Sequence, residues 1–169
     1  MTGGDRRERA GVTLGSAGAG DLDTLAALHR QCFAEAWARS DFARILEAPT
    51  SFALIARTAT GAAGFVLART VVDECEILTL AVTPAYRRHG FGRALLHAAL
   101  ALATSRGARA VFLEVAADNA AARGLYAASG FRMVGVREGY YRRGARRGDG
   151  LTLKRTLRRT RSLVKDHRR

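Results

Sequence analysis

The stretch AYRRHGFGRALLHAALALA, from Ala85 to Ala103, decides the fold of this chain. Gly90 and Gly92 stand among Arg87, Arg88 and Arg93, and an apolar repeat of helical period follows directly. Leu95, Ala99 and Leu102 fall on one stripe, with Leu96, Leu100 and Ala103 beside it, so the spacing predicts a helix after the glycines. Gly107 is placed to close it as a C′ glycine. The start of such a helix presents backbone N–H groups without intrahelical partners, together with the positive end of its dipole. Glycines there remove the Cβ atoms that hold an anion away, and arginines add charge, so the turn suits a pyrophosphate. A plain turn satisfies the same residues. The run has neither the third glycine of GxGxxG nor the GK[ST] of the phosphate loop, so it fails the usual nucleotide templates.

Working outward, SFALIART, GAAGFVLARTVV and CEILTLAV read as three strands, the first two separated by a turn at Gly61. Thr83-Pro84 ends the third. ARAVFLEVA is a further strand, and Asp118 or Asn119 caps a helix ending at ASGF. Two more strands are expected around Phe131–Arg137 and Leu151–Leu157. Before all of these, GVTLGSA reads as a short strand. Asp21 is placed to cap a helix through about Phe33, and Ser40 or Asp41 starts a shorter one that stops before Pro49. Strands alternating with helices in the middle of the chain predict an α/β fold with some parallel pairing. At 169 residues one domain is expected. Its bounds are 11–157, after a polar, disordered start at 1–10 and before a basic tail at 158–169.

The net charge of +13 is uneven: residues 1–86 hold 8 basic and 10 acidic side chains, residues 87–169 hold 20 and 5. Such asymmetry points to a partner with phosphates, whether a small cofactor or RNA. Only Lys154 and Lys165 are lysines, a bias that codon usage explains; codon usage does not explain why the excess lies in one half. Cys32 and Cys75 have no paired spacing, and His29, His89, His97 and His167 form no HExxH, so two buried thiols and no metal are expected. No apolar run is long enough to span a membrane, and MTGGDRRERAG lacks the apolar stretch of a secretory signal. The expected location is the cytoplasm.

With these elements in place, the chain resembles the GCN5-related N-acetyltransferases (GNATs), whose cofactor motif [Q/R]-x-x-G-x-[G/A] is met by Arg87, Gly90 and Gly92 between a strand and a helix. LEVAADNAAARGLYAASGF, Leu113 to Phe131, and the pair Tyr140-Tyr141 are similar to the RimI type, which acetylates the N-terminal alanine of a small-subunit ribosomal protein. The resemblance implies a mixed α/β sheet whose central parallel strands splay apart to hold acetyl-CoA. It implies that the diphosphate rests on the amides of Arg88, His89, Gly90, Phe91, Gly92 and Arg93. The pantetheine arm would pair like an added strand with Leu80, Ala81 and Val82.

Glu114 interrupts the apolar strand VFLEV on the same side as Phe112, where an ionised carboxylate is costly unless paired or hydrated. A strand-end glutamate reaching water or an arginine accounts for it; the resemblance implies a general base, acting directly or through water. An α-amine of pKa about 8 needs little help to lose its proton, whereas a lysine near 10.4 needs much more. Asn119 and Tyr126 are seven positions apart, two turns on one helix face and about 10 Å along its axis. Tyr126 is either a packed aromatic or, as the resemblance implies, the acid that protonates the departing thiolate, with Asn119 on the pantetheine arm. Tyr140 and Tyr141 correspond to a pair that shapes the acceptor pocket, and Trp37 to a segment that normally reads Pro-Trp. Here Ala36 replaces that proline, and Gly139 replaces an asparagine common before the tyrosine pair. Both departures bear on the acceptor, not on the cofactor.

Two rivals follow. The acceptor could be a polyamine, an aminoglycoside or an internal lysine, for which the acidic Glu35, Asp41 and Glu47 leave room. The chain could also be a basic RNA- or ribosome-binding protein on a non-catalytic scaffold, its tail making weak, salt-sensitive rRNA contacts.

Overall fold

The computed structural model describes residues 11–158; the expected disordered start and all of the basic tail beyond Arg158 lie outside the described residues. Seven strands form one sheet: β1 (Thr13–Ala17), β2 (Ser51–Thr58), β3 (Gly61–Val71), β4 (Glu74–Val82), β5 (Ala110–Ala116), β6 (Arg132–Arg143) and β7 (Arg146–Thr156). Their order is β1-β2-β3-β4-β5-β7-β6. The helices are α1 (Leu22–Cys32), α2 (Arg39–Leu46), α3 (Phe91–Ser105) and α4 (Ala120–Ala128). Every strand pair is antiparallel except β4 with β5.

Period-two alternation splits the core between two layers. Phe52, Leu54 and Ala56 of β2 face α3 and α4, whereas Ala53 and Ile55 face α1 and α2. β4 breaks that alternation. Ile77 pairs with Ala68 and Thr79 with Leu67, so Leu78 is an extra residue, a β-bulge. Before the bulge Cys75 and Ile77 pack under α3; after it Ala81 points the other way, and Leu80 and Val82 take over the α3 side. The bulge also bends the strand. β4 and β5 pair only over Glu74–Glu76 and Ala110–Phe112, then part, leaving the far halves of both strands open. The splayed parallel pair thus has a local cause at one residue.

Two helix starts differ from expectation. Asp21 occupies the N-cap position of α1, but its carboxylate accepts from the Gly18 N–H and pairs with Arg57 instead of capping. α2 begins at Arg39, earlier than Ser40 or Asp41, because Asp41 reaches back to the Ala38 N–H at 2.8 Å and fixes the first turn from within. The last two strands run longer than expected, closing a hairpin over Gly144. Among the described residues no helix is long and apolar enough to cross a membrane.

The β3–β4 turn carries strain. Val72 is 88% exposed with φ +56, a left-handed backbone that β-branched residues rarely adopt. Relief of about 1–2 kcal/mol of steric cost exceeds the entropy that glycine adds to the unfolded chain. Val72→Gly is therefore expected to raise stability by roughly 0.5–1 kcal/mol. A thermal melt shifted upward by about 1–4 °C checks this.

Candidate active site

The turn quoted at the outset builds one wall of a groove. Arg88 (φ +63) and Gly90 (φ +82) are both left-handed, so the backbone turns sharply just before α3. Arg87 anchors it, donating from Nε to the Val82 carbonyl at 3.0 Å. His89 Nδ1 donates to the Arg87 carbonyl at 2.8 Å, and its ring stacks on Phe91. The first backbone bond of α3 runs from the Ala94 N–H to Gly90, so the amides of Phe91, Gly92 and Arg93 lead the helix with no acidic side chain in the first turn.

The groove has a volume of about 850 Å³. Leu80, Ala81, Val82, Arg87, Arg88, Gly90, Phe91, Gly92, Arg93 and Asn119 all line it; His89 stands behind Phe91. A Cβ at Gly92 would project between Leu125 (3.5 Å) and Val82 (3.7 Å), into the space where α3 and α4 face each other. Amides leading α3 without intrahelical partners, nearby arginines and a wall kept bare at Gly92 fit the diphosphate of a coenzyme A thioester. The open edge of β4 beyond its bulge fits an extended arm. Asn119 Oδ1 caps α4 by accepting from the Ala122 N–H at 3.2 Å, which leaves its amide Nδ2 as the group that can reach a ligand.

Gly64 supports this wall from behind. It pairs with Val82, and a Cβ there would lie 2.5 Å from the Ala81 carbonyl oxygen, a backbone atom that can retreat only by moving β4. Gly64→Ala is expected to cost about 1–3 kcal/mol of stability and to weaken acetyl-CoA binding at least several-fold. Denaturant melts and a calorimetric titration read the two effects separately.

At the other side of the gap, Glu114 on β5 and Arg137 on β6 reach each other across β7, Nε to Oε1 3.1 Å. The Arg137 guanidinium lies 5.1 Å over the Tyr140 ring, and Tyr140 meets Tyr141 edge to face at 5.1 Å. The backbone permits this packing at two glycines. Glu138, Gly139 and Tyr140 stand opposite the single residue Asp149, and Gly139 takes φ +61 while its N–H donates to Asp149 at 3.0 Å. An asparagine tolerates the same left-handed turn, so the departure at Gly139 preserves the loop. Gly150 leaves room for both rings, which would lie 3.2 Å from a Cβ there. Tyr126 on α4 is buried, edge to face with Phe131. Burial, reinforced by the nearby Tyr141 phenol, pushes its pKa up to about 12. Burial first, then the Glu114 carboxylate, also raises Tyr141.

Trp37 does not line the groove. It stacks on His29 at 5.1 Å and tilts against Phe42, in an aromatic cluster under α1 and α2. Its backbone N–H donates to His29 Nδ1 at 3.1 Å, so the His29 proton is on Nε2. Burial lowers the His29 pKa, and the unfolded chain therefore binds this proton first as pH falls. Stability is expected to be fully present above pH ~6.5 and to decline below it, a slope that His29→Gln flattens in pH-dependent melts.

Among the residues of the site that escaped the sequence reading are Arg137 and Cys32. Arg137 is one arginine among many, and only its register across β7 from Glu114 distinguishes it. Cys32, expected to be buried, is half-buried in the groove, with Sγ 3.5 Å from the Val82 carbonyl. Burial pushes its thiol up, partly offset by Arg87. Cys75 is buried as expected. Among the described residues no cluster of ligands could hold a metal ion.

A parallel pair parted by a bulge, an amide-lined turn at one lip and a carboxylate with phenols at the other define an acyl-carrier transferase scaffold. Residues 22–131 match the acetyltransferase (GNAT) family, and the chain belongs to it. It is 41% identical over 137 residues to N-alpha-acetyltransferase RimI of Mycobacterium tuberculosis, covering 78% of this chain and 85% of that protein. It is 42% identical over 79 residues to the ribosomal protein bS18-alanine N-acetyltransferase of Escherichia coli (strain K12), covering 47% of this chain and 53% of that one. The crystal structure of the ribosomal-protein-S18-alanine N-acetyltransferase from Escherichia coli superposes with a TM-score of 0.80 at 30% identity, over 85% of this chain and 92% of that one.

Proposed function

We propose that this chain acetylates the α-amine of the N-terminal alanine of a small-subunit ribosomal protein, in the cytoplasm, with acetyl-CoA as donor. The relatives named above support the acceptor, and the amide-lined turn opposite the Glu114–Arg137 pair supports the chemistry. When bound, acetyl-CoA supplies an activated acetyl thioester. The amides of Arg88 to Arg93 would hold its diphosphate, and the open edge of β4 from Leu80 to Val82 would align its arm. Glu114 takes the amine proton on a carboxylate oxygen, directly or through water, with Arg137 fixing the carboxylate's orientation. Tyr126 Oη offers its proton to the departing sulfur. Tyr140 and Tyr141 form the acceptor pocket between the two strands' ends, and Trp37 supports the loop after α1 from beneath. The basic tail from Arg158 onward adds a weak, salt-sensitive contact to rRNA.

A panel of acceptors tests the reading: a peptide with a free N-terminal alanine, an N-blocked lysine peptide and spermidine, each with acetyl-CoA. Transfer to the free α-amine alone is expected. Transfer to lysine or spermidine instead would retain the family and retire the acceptor. No transfer together with no acetyl-CoA binding would favour a non-catalytic scaffold.

A further inference from the structure

The β6–β7 hairpin carries more positive charge than its own folding can use. Across this antiparallel pair Arg132 stands opposite Lys154 and Arg142 opposite Arg147, with Arg143 opposite Arg146 at the tip. Like charges placed directly across a ladder repel, and a hairpin selected for stability alone sets opposite charges there. Arg142, Arg146 and Arg147 are exposed. The ion pairs of the described residues use Arg39, Arg44, Arg57, Arg69 and Arg137, and none of those three. The hairpin from Arg132 to Thr156 has two acidic residues, Glu138 and Asp149, against eight basic ones, and Asp149 accepts from the Gly139 N–H.

By strand alternation Arg142 and Arg147 lie on one face of the ribbon and Arg146 on the other. An acidic peptide lying along the hairpin would meet one face. A ribbon basic on both faces suits a cleft whose two walls are phosphates, as in the grooves of a folded nucleic acid. We propose that the tip of the β6–β7 hairpin is an RNA-binding surface, distinct from the acetyl-CoA groove and from the basic tail. Phosphate recognition rests on the hairpin itself; the choice of RNA rests on the proposed ribosomal acceptor. The surface lies on the hairpin whose first strand, β6, presents Tyr140 and Tyr141, so RNA held there flanks the acceptor entrance.

The test is a fluorescence-anisotropy titration of the full chain with a labelled RNA duplex of about 20 base pairs, repeated across salt. It is run beside a triple variant (Arg142→Ser, Arg146→Ser, Arg147→Ser), a chain ending at Arg158, and a polyglutamate competitor. The triple variant is expected to bind RNA at least tenfold more weakly at about 100 mM salt, with a log–log salt slope shallower by about 2–3. Its thermal melt is expected at or above that of the parent, because repulsion is relieved, and its transfer to a short alanine peptide is expected within twofold. RNA affinity unchanged in the triple variant, or lost only on truncation at Arg158, would overturn the proposal. So would polyglutamate displacing RNA at equal charge, which would assign the hairpin to an acidic protein. Acetyl transfer is read without RNA and RNA binding without acceptor, so failure of one leaves the other standing.

Discussion

Glu114→Gln is expected to lower kcat for an N-terminal alanine peptide by about 10²–10⁴-fold at pH 7, the range for loss of a positioned general base. Glutamine keeps the size of the side chain and an oxygen for the Arg137 Nε–H now 3.1 Å from the carboxylate, so the ladder from β5 across β7 to β6 should persist. What disappears is the charge proposed to accept the amine proton. The deficit has a signature. An α-amine titrates near pH 8, so the variant recovers about tenfold between pH 7 and 9 as the amine reaches its neutral form unaided. A purely structural role for Glu114 predicts a loss that does not shrink with pH, or a melt displaced by several degrees. A variant within threefold of the parent at pH 7 would remove Glu114 from the chemistry and leave it as the ion partner of Arg137.

Tyr126→Phe is expected to lower kcat by about 10²-fold while leaving the KM for acetyl-CoA nearly unchanged. The ring packs on Phe131, an interaction phenylalanine retains, so folding is preserved. A phenol pushed up to about 12 stays protonated throughout the working range, and loss of its proton sets no alkaline limb there. The same shift limits the proposed role. Full transfer to a thiolate of pKa about 8.5 is uphill by more than three units, so the role proposed for the phenol is mainly that of a hydrogen-bond donor to the developing charge. Linkage gives a second readout. The folded pKa lies above the unfolded value near 10, so the Tyr126 contribution to stability is complete below pH 10 and is lost as pH rises toward 12. Tyr126→Phe should be less sensitive than the parent to denaturation in that window.

Much of the architecture was legible because it is local. The α3 stripe, the glycines before it and the alternation in β2 each follow from a short window of residues and a fixed period. The groove was legible for the same reason: ten of the residues expected to meet the cofactor line it, and they come from two short runs and one helix cap. The splay was expected from resemblance alone, since nothing in ECEILTLAV distinguishes Leu78 as the extra residue; the bulge exists only relative to β3. Pairing across strands was also opaque. Arg137 reaches Glu114 through a third strand, and the long arms of the β6–β7 hairpin look like an arginine-rich loop until register is known. Capping went wrong where a side chain had a competing partner, as Asp21 does in Arg57. Trp37 was expected near the acceptor by correspondence of position; its packing against His29 and Phe42 could be read only from the structure.

The most direct test of the central claim is a mass map of the small-subunit ribosomal protein after incubation with this enzyme and acetyl-CoA. A single acetyl group on the α-amine of its N-terminal alanine, absent with Glu114→Gln, is the predicted result. Acetyl groups on lysine side chains with the N-terminus free, or an unmodified protein under conditions where acetyl-CoA binds, would contradict it.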